Sequence, residues 1–422
     1  MLKRFSSYFA QSMMQSKLKE ALKIERLDAP VTYATDASKP YLLYMHVPFC
    51  HDFCPFCSFH KFKYDALNAK SYFRSLREEL FILKRLGFSF DRLYIGGGTP
   101  FVDPKELFQT IRVAKELFDI KEVSCESSPA SIDRERLYEA KGLIDRLSIG
   151  VQTFDDTLLK RMGRYERYGS SKELQRKIES LQGILPTISL DLIFNFPAQS
   201  EAMLREDLRI AKALGSEQIT TYPLMRSSLM KESIKNAFGE EEGIKEWTLY
   251  QAIRDEMSEY NLNNAWAFAK EKSALSDEYV VHYPEYIGVG SGAFSAFNGR
   301  LYVNAYSLSE YLQCIKDRRH AIIAQTPVFS PKQQVQYAFL LELFSRSLDM
   351  ERFNARFGIC VEKMFSIELW WLESNHAIRK EGGVIYTTLF GDYLCATMMK
   401  TFYSGMDLVR AYLSKTFYQN AS

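Results

Sequence analysis

The chain has 422 residues, of which 46% are hydrophobic and 25% are charged, and its formal net charge is +2. This composition is typical of a globular protein with a substantial core, and the length predicts two or three domains. The small net charge gives no indication of a nucleic-acid partner, and no window approaches the roughly 20 apolar residues of a membrane span, so we expect neither.

The N-terminal segment is predicted to form a docking helix. Phe5, Phe9 and Met13 recur every four residues, as on the apolar face of an amphipathic helix. The segment lacks the apolar run and cleavage site of a secretory signal, and Glu20 and Glu25 dilute the charge bias of a transit peptide. The cysteines are odd in number, seven, so we expect a reducing cytoplasmic location, where clustered cysteines indicate metal or redox chemistry.

Strand-like and helix-like segments alternate through the first half of the chain. The predicted strands are residues 39–47, 90–100, 121–129, 145–152, 187–197 and 217–224, and the predicted helices are 66–87, 103–118, 133–142, 170–183 and 201–215. This alternation calls for parallel βαβ units, with polar residues at the strand ends as in the mouth of a barrel. We therefore predict an α/β fold, a partial (β/α)6 TIM-like barrel.

After about residue 300 the pattern changes to longer helices and one β-like segment. This change predicts a smaller helical or winged-helix-like domain at the C-terminus. Its helix-like segments are 331–347 and 355–375, and its β-like segment is 382–391. The expected division is an N-terminal helical extension (1–40), a partial barrel (41–300) and a C-terminal domain (301–422).

Three cysteines lie close together in the loop after the first predicted strand. Cys50, Cys54 and Cys57 follow a C-x3-C-x2-C spacing. Cysteine thiolates are the usual ligands of iron–sulfur clusters, and three of them leave one iron of a four-iron cube open for another ligand. His60 could instead complete a Cys3His zinc site, so the loop by itself leaves both kinds of metal site open.

The second predicted strand ends in GGGTP, Gly96 to Pro100. This is not a P-loop, because no Gly-Lys-Ser/Thr follows, and it is not G-x-G-x-x-G. Glycines let the backbone approach a ligand closely and can expose N–H groups to a carboxylate. A glycine triplet alone is more often a tight turn, but one βα unit after this cysteine spacing it favours a cluster site.

Further motifs follow in a characteristic order: SCESSP (124–129), DRLSIGVQTF (145–154), LDLIFNFPAQS (190–200) and YIGVGSGAFS (286–295). With these motifs the chain resembles radical S-adenosylmethionine enzymes. It is most similar to the oxygen-independent coproporphyrinogen III oxidase group, which also contains heme chaperones and heme-degrading methyltransferases. The resemblance covers about residues 41–306 and continues more weakly at VIYTTLFGDYL (384–394).

The resemblance implies a 4Fe–4S cluster on Cys50, Cys54 and Cys57, with S-adenosylmethionine chelated to the fourth iron. An electron from the reduced cluster would split the sulfonium C–S bond, leaving a 5′-deoxyadenosyl radical that abstracts hydrogen. The implied partners are a tetrapyrrole or related small-molecule substrate and an electron donor such as flavodoxin or ferredoxin. A second S-adenosylmethionine is also implied, and the catalytic residues stay unknown.

The resemblance also assigns binding residues. For the cluster-bound S-adenosylmethionine these are Tyr44, Phe56, Gly97, Gly98, Thr99 and Glu126, with Phe294 as an apolar contact nearby, and for the second molecule they are Gln152, Arg164, Asp191 and Pro223. Chemistry favours Asp191 most, because an unpaired carboxylate in an apolar strand is costly and ribose hydroxyls could satisfy it. Arg164 is favoured least, because its basic neighbours are also typical of a solvated helix. Tyr44 and Phe56 could equally be core residues, and Glu126 an exposed loop residue.

The chain departs from these relatives at two places. Coproporphyrinogen oxidases carry a fourth cysteine where this chain has Phe59, and the heme chaperones carry a His-Asn…Tyr-Trp stretch where this chain has Ser276 near the expected His. We expect a radical S-adenosylmethionine oxidoreductase of the coproporphyrinogen oxidase type. A heme chaperone that retains the cluster, and a radical methyltransferase that degrades heme anaerobically, stay open as alternatives.

The remaining histidines and cysteines have no spacing that indicates a metal site. His46 precedes the cysteine loop and either supports the cluster site, takes part in proton handling, or is structural. His51 and His60 are predicted loop residues. Packing roles are predicted for the other cysteines: Cys125, Cys314, Cys360 and Cys395.

Overall fold

A computed structural model describes residues 2–27, 31, 41–240, 245–271, 283, 285–318 and 320–420. Its centre is a 13-stranded mixed sheet, accompanied by a three-stranded and a two-stranded sheet. The strands are β1 (Glu25–Arg26), β2 (Tyr41–Val47), β3 (Phe49–Cys50), β4 (Phe62–Lys63), β5 (Phe90–Gly97), β6 (Glu122–Ser127), β7 (Arg146–Gln152), β8 (Thr187–Phe194), β9 (Gln218–Pro223), β10 (Asn261–Leu262), β11 (Ala267–Ala269), β12 (Tyr286–Val289), β13 (Phe294–Phe297), β14 (Arg300–Asn304), β15 (Ile322–Gln325), β16 (Ser347–Asp349), β17 (Ile378–Glu381) and β18 (Val384–Thr387).

The described residues also form α-helices. They are α1 (Leu2–Ala21), α2 (Ala66–Arg85), α3 (Pro104–Leu117), α4 (Arg134–Ala140), α5 (Asp156–Arg161), α6 (Tyr165–Tyr168), α7 (Ser171–Leu181), α8 (Glu201–Ala213), α9 (Lys231–Phe238), α10 (Glu246–Glu256), α11 (Leu308–Gln313), α12 (Pro331–Phe344), α13 (Met350–Phe357), α14 (Val361–Met364), α15 (Ser366–Ser374) and α16 (Leu389–Asn420). None of these helices is both long and apolar enough to cross a membrane.

The six predicted barrel strands form the parallel centre of the sheet, in the order β2-β5-β6-β7-β8-β9. Helices α2, α3, α4, α7 and α8 lie in the connections between them. The strands are apolar and buried over most of their length, as expected for strands covered on both faces. The predicted α/β fold is therefore confirmed, and the sheet does not close into a full barrel.

Local sequence signals mark the ends of the barrel helices. The Asp65 carboxylate accepts a hydrogen bond from the Asn68 N–H at 2.9 Å and caps α2. Asp103 caps α3 in the same way, with Pro104 as its first residue. Gly87, at a φ of +85°, follows the end of α2, where a left-handed conformation favours glycine.

The sheet continues beyond the barrel on the β2 side. Strand β12 is parallel to β2, and β13, β14, β15 and β1 follow antiparallel, so the sheet extends to Gln325. A buried carboxylate holds the turn after β12: Glu79 accepts hydrogen bonds from the Gly290 N–H and the Tyr311 hydroxyl, both at 2.8 Å, and from the Asn304 amide. Burial raises the pKa of Glu79 to about 7.

The C-terminal region contains helices and the three-stranded antiparallel sheet β16-β18-β17. The helix predicted over 355–375 is broken into three, since Gly358 adopts a left-handed conformation at φ +64° and ends α13. Cys125, Cys314 and Cys395 are buried, as predicted. Cys360, however, is exposed in the break before α14, so its predicted packing role is wrong.

The N-terminal helix docks, as predicted, but mainly with residues outside the predicted apolar face. Phe5 is 70% exposed and Phe9 is 50% exposed, whereas Ala10 and Leu18 are buried. Helix α1 packs against α16, where a side chain at Gly405 would approach the Leu18 Cδ1 atom to 2.7 Å. Of the predicted apolar face, Phe9 packs on Trp371 with ring centroids 5.7 Å apart, while Phe5 and Met13 are exposed.

Candidate cofactor-binding site

A cavity of about 490 Å³ lies at the carboxyl ends of the parallel strands, and we call it the thiol cavity. Parallel strands bring these ends to one edge of the sheet, so residues distant in sequence meet there. The cavity is lined by Tyr44, Cys50, Cys54, Phe56, Cys57, Gly97, Gly98, Thr99, Glu126, Gln152, Arg164, Asp191 and Pro223. Every predicted site residue except Phe294 is therefore in its wall.

The three clustered cysteines are free thiols. Cys50 is buried at the end of β3, while Cys54 and Cys57 are half-buried. Burial raises the pKa of the Cys50 thiol to about 11, and its Sγ atom lies 3.7 Å from the Thr99 hydroxyl. Three thiols around a cavity within the ~300–1,000 Å³ range of small-ligand sites fit a metal cluster.

The alternative zinc site with His60 is not formed. His60 is buried, its Nε2 atom donates to the Ser291 hydroxyl at 3.1 Å, and its ring packs on Tyr306. A single zinc ion needs all its donors at about 2.0–2.3 Å from one point, whereas the thiolates of a four-iron cluster bind different irons. In the part of the chain that the structure describes, no three His, Cys, Asp or Glu side chains are grouped to hold a single ion.

Arg164 lies beside the cysteines and is buried rather than on a solvated helix. Its Nε atom donates to the Cys54 Sγ at 3.3 Å, and its Nη1 atom donates to the Gly150 carbonyl at 2.8 Å. Phe56 and Tyr168 flank the guanidinium, with ring centroids at 5.4 and 5.2 Å. Burial by itself would raise the pKa of Cys54, but the charge and hydrogen bond of Arg164, together with Arg167, outweigh burial and lower this pKa, which favours the thiolate.

The glycine loop packs directly on the cysteine loop. The Gly98 N–H donates to the Val47 carbonyl at 2.8 Å, and a Cβ at Gly98 would lie 2.6 Å from the Phe49 carbonyl oxygen. The Gly97 N–H does face a carboxylate, but it is that of Glu126, at 3.4 Å. The two N–H groups thus bond to the protein, and the glycines allow two loops to approach closely.

Glu126 is inside the site and is not an exposed loop residue. Its carboxylate accepts a hydrogen bond from the Tyr94 hydroxyl at 3.0 Å, in addition to the Gly97 N–H. Burial, and next the nearby charge of Asp191, raise the pKa of Glu126 to about 7. A cationic ligand group beside Glu126 would reverse this shift and stabilise the carboxylate.

Asp191 faces the cavity from β8 and has protein partners. Its Oδ1 atom accepts a hydrogen bond from the Ser148 hydroxyl at 2.7 Å. Burial raises the pKa of Asp191, and the charge of buried Arg146 partly offsets the rise. The carboxylate is therefore held in place within the sheet while it remains in the wall of the cavity.

Two further predicted residues end their strands at the cavity. Gln152 is the last residue of β7 and has a φ of +75°, which is unusual for a residue with a side chain. Such strain is often found at ligand sites, where the surrounding structure maintains it. Pro223 is the last residue of β9 and lines the same wall.

His46 supports Tyr44. The His46 Nε2 atom faces the His60 carbonyl at 3.0 Å and must donate there, so its Nδ1 atom accepts from the Tyr44 hydroxyl at 2.9 Å. Burial lowers the pKa of His46 to about 4, so the ring is neutral at pH 7. The structure thus gives His46 a positioning role, one of the alternatives left open by the sequence.

Several lining residues were missed from the sequence. Tyr94 lies on β5 just before the glycines, and Tyr168 follows Arg164 by one helical turn, so both could have been found from their neighbours. Tyr403 comes from α16, and no local pattern connects it with the cysteine loop. Phe59, noted only as a substitution for a cysteine, also lines the cavity.

Phe294 lies apart from the other predicted residues. It lines a second cavity, of about 470 Å³, on the β12–β14 side of the sheet. Tyr44, Phe59 and Tyr403 line both cavities and so form the boundary between them. Phe294 is therefore separated by this boundary from the thiol cavity, where its predicted ligand, the cluster-bound S-adenosylmethionine, would lie.

The raised pKa of Glu126 predicts a pH-dependent stability of the cofactor-free protein. The folded pKa of about 7 exceeds the ordinary 4.5, so the folded state loses stability as pH rises between these values. Glu126→Gln cannot ionise, so we expect it to equal the unsubstituted protein near pH 4.5 and to be about 1–3 kcal/mol more stable at pH 8. Urea unfolding at pH 4.5 and pH 8 measures the free energy of unfolding of both proteins. If the difference between the two proteins is the same at both pH values, the prediction is wrong.

Comparison with known proteins agrees with this site. The family described as the Radical SAM superfamily matches residues 44–211. The chain is 26% identical over 369 residues to the heme chaperone HemW of Bacillus subtilis (strain 168), covering 83% of this chain and 96% of that protein. It is 31% identical over 198 residues to the oxygen-independent coproporphyrinogen III oxidase of Paracoccus denitrificans (strain Pd 1222), covering 45% of this chain and 44% of that protein.

The fold has a solved counterpart in coproporphyrinogen III oxidase (HemN) from Escherichia coli. The TM-score is 0.74 at 19% identity, over 87% of this chain and 91% of that chain. The radical SAM family implies a 4Fe–4S cluster and S-adenosylmethionine as cofactors, and three free thiols in one cavity fit that requirement. Residues 44–211 therefore match the radical SAM superfamily, in a chain similar to the heme chaperone HemW and to oxygen-independent coproporphyrinogen III oxidase.

Proposed function

We propose that this chain is a radical SAM enzyme that acts on a tetrapyrrole in the manner of a coproporphyrinogen III oxidase. The observation that carries this proposal is the thiol cavity, which is lined by three free cysteines, the glycine loop and two half-buried carboxylates. The names of the relatives support the substrate class, because heme and coproporphyrinogen are both tetrapyrroles. We further propose a cytoplasmic location and a small electron donor of the flavodoxin or ferredoxin kind.

In this proposal the cavity residues have distinct roles. Cys50, Cys54 and Cys57 hold the cluster, and Arg164 favours the thiolate at Cys54 across their 3.3 Å contact. Bound cofactors of this kind supply a radical that abstracts hydrogen from the substrate. Glu126 accepts the positively charged amino group of S-adenosylmethionine, since a nearby cation stabilises a buried carboxylate.

The remaining predicted residues then bind the nucleoside portions of the two S-adenosylmethionine molecules. Tyr44, Phe56, Gly97, Gly98 and Thr99 line the side of the cavity near Cys50 and Cys54, which suits the cluster-bound molecule. Gln152, Arg164, Asp191 and Pro223 come from β7 to β9 and suit a second molecule. A second S-adenosylmethionine would allow methyl transfer, the activity of the methyltransferase alternative.

A heme chaperone that retains the cluster is the second candidate function. The supporting observation is that the relative matched over 96% of its own length is named a heme chaperone, whereas the matched oxidase is covered over only 44%. Phe59, in place of the oxidases' fourth cysteine, is a further difference from the oxidases. The two candidates differ in turnover, because a chaperone binds heme without consuming S-adenosylmethionine.

The test is anaerobic incubation of reconstituted protein with S-adenosylmethionine, a chemical reductant, and either coproporphyrinogen III or heme. We expect formation of 5′-deoxyadenosine that increases with the tetrapyrrole, together with a mass change of the tetrapyrrole detected by mass spectrometry. Cys57→Ala is the matched control and should show neither. Stoichiometric heme binding without turnover would establish the chaperone instead, and neither binding nor turnover would refute both candidates.

A further inference from the structure

The second cavity is enclosed by parts of the chain far apart in sequence. Its volume is about 470 Å³, within the ~300–1,000 Å³ range of small-molecule sites. Strands β12 to β14 form one wall, α1 and α12 form the sides, and α16 covers it. Its aromatic lining residues are Tyr44, His46, Phe59, His60, Tyr286, Phe294, Phe297, Phe329, Tyr337, Phe357, Phe402 and Tyr403. Walls of this kind suit a flat, largely apolar ligand.

The charged residues in the wall are mostly positive. Arg300, Arg356 and Arg410 line the cavity, while Glu285 is the one acidic residue among its described lining residues. His46 and His60 add no charge, because burial lowers the pKa of both rings. A flat ligand that fits this cavity is therefore favoured if it carries negative charge.

Arg410 is the buried member of this set. It is 7% exposed, and its guanidinium lies over the rings of Phe59 and Phe294, at 5.3 and 5.9 Å from their centroids. Two aromatic rings thus fix the plane of a cation in the wall between the two cavities.

Arg410 has an incomplete set of hydrogen bonds. Its Nη1 atom is paired with Asp407 at 2.5 Å, and Asp407 is itself 2% exposed. The Nε atom of Arg410 and the Oδ2 atom of Asp407 have no hydrogen-bond partner among the described residues. Buried polar atoms without partners are costly, and a carboxylate ligand, which only accepts hydrogen bonds, could be served by the Arg410 side of this pair but not by Asp407.

We infer that the second cavity binds the flat body of an acidic aromatic substrate, and that Arg410 anchors one of its carboxylates. The inference deepens the proposed function and rests on it for the substrate class, because oxidised tetrapyrroles such as heme and coproporphyrin are flat and carry carboxylate side chains. Arg356, which is exposed at the rim, and Arg300 are placed for further carboxylates. The boundary of Tyr44, Phe59 and Tyr403 puts such a substrate next to the thiol cavity.

The test uses coproporphyrin III, a flat tetracarboxylate, and its tetramethyl ester, which has the same ring without charge. Both are titrated by fluorescence into the full chain with and without the cluster. The variant is Arg410→Gln with Asp407→Asn, because removing one partner alone would leave a buried charge unpaired. Arg352→Gln, an exposed arginine on α13 that does not line the cavity, is the matched control.

We expect the unsubstituted protein to prefer the acid over the ester, and the double variant to bind the acid about 10- to 100-fold more weakly, as for loss of a charged hydrogen bond. Ester binding and the control variant should be unchanged. Ala296→Trp, which fills the cavity from β13, should weaken both ligands while circular dichroism and cluster content stay the same. Equal affinity for acid and ester, or an unaffected double variant, would overturn the inference.

The outcomes also separate this inference from the proposed function. Turnover of a tetrapyrrole with no effect of the double variant would refute the second cavity and leave the enzyme proposal standing. Arg410-dependent binding of the acid without turnover would support the cavity and refute the enzyme.

Discussion

Cys50→Ala, Cys54→Ala and Cys57→Ala are each expected to abolish the iron–sulfur cluster, and with it all cleavage of S-adenosylmethionine. The three thiols line one cavity, and a four-iron cube with three protein ligands has no spare thiolate to replace a lost one. The other buried cysteines cannot substitute, because Cys125, Cys314 and Cys395 do not line the thiol cavity. Loss of any one thiol therefore removes a corner of the binding site.

Iron and acid-labile sulfide analysis of anaerobically reconstituted protein measures this effect directly. We expect about four of each per chain in the unsubstituted protein and none bound as a cluster in the three variants. Cys360→Ala is the matched control, because this exposed thiol lies in the C-terminal region and should leave cluster content unchanged. Stoichiometric zinc in place of iron, or full cluster content in a Cys54→Ala protein, would contradict the assignment.

Asp191→Ala is expected to weaken binding of a second S-adenosylmethionine by about 10- to 100-fold, the usual effect of removing a charged hydrogen-bond acceptor. The carboxylate is positioned by the Ser148 hydroxyl at 2.7 Å and still lines the cavity, where ribose hydroxyls can donate to it. Cluster assembly and the first binding event should persist, because Asp191 lies on β8 and the cysteine loop follows β2.

Equilibrium dialysis with labelled S-adenosylmethionine counts the sites and reports both affinities. Glu126→Ala is the complementary variant and should impair the cluster-bound molecule first, since Glu126 lies against the glycine loop. Asp191→Asn removes the charge but keeps the size of the side chain and an oxygen that can accept from Ser148. Comparing it with Asp191→Ala separates the effect of losing the charge from that of losing the side chain. If the native protein binds a single molecule and Asp191→Ala changes nothing, Asp191 is a structural carboxylate held by Ser148 and the nearby charge of Arg146.

Most of the barrel could be predicted from local patterns. Each strand is a short apolar run, and caps such as Asp103 and terminators such as Gly87 mark the helices between them. Since parallel strands share one carboxyl edge, residues at strand ends converge even though their distances are unknown. This is why Glu126, Gln152 and Pro223, predicted one by one, are found around a single cavity.

Predictions that depended on the surroundings of one residue were less successful. The basic neighbours of Arg164 are equally typical of a solvated helix, yet its contacts with Cys54 and Phe56 bury it. The spacing of His60 suited a zinc ligand, but its ring bonds to Ser291, which is remote in sequence. Sequence spacing measures distance along the chain, whereas a ligand set depends on directions in space.

The cysteine motif, the glycine loop and the strand order thus favoured a cluster site from sequence, because each is a local pattern with its own chemistry, whereas S-adenosylmethionine was implied by the family resemblance. The second cavity, the place of Phe294 within it and the stacking of Arg410 on Phe59 were decided only by tertiary packing. Helix α1 packs against α16 where Gly405 leaves room for Leu18. Burial of apolar surface is non-directional, so segments hundreds of residues apart can pack together without a recognisable pattern in either segment.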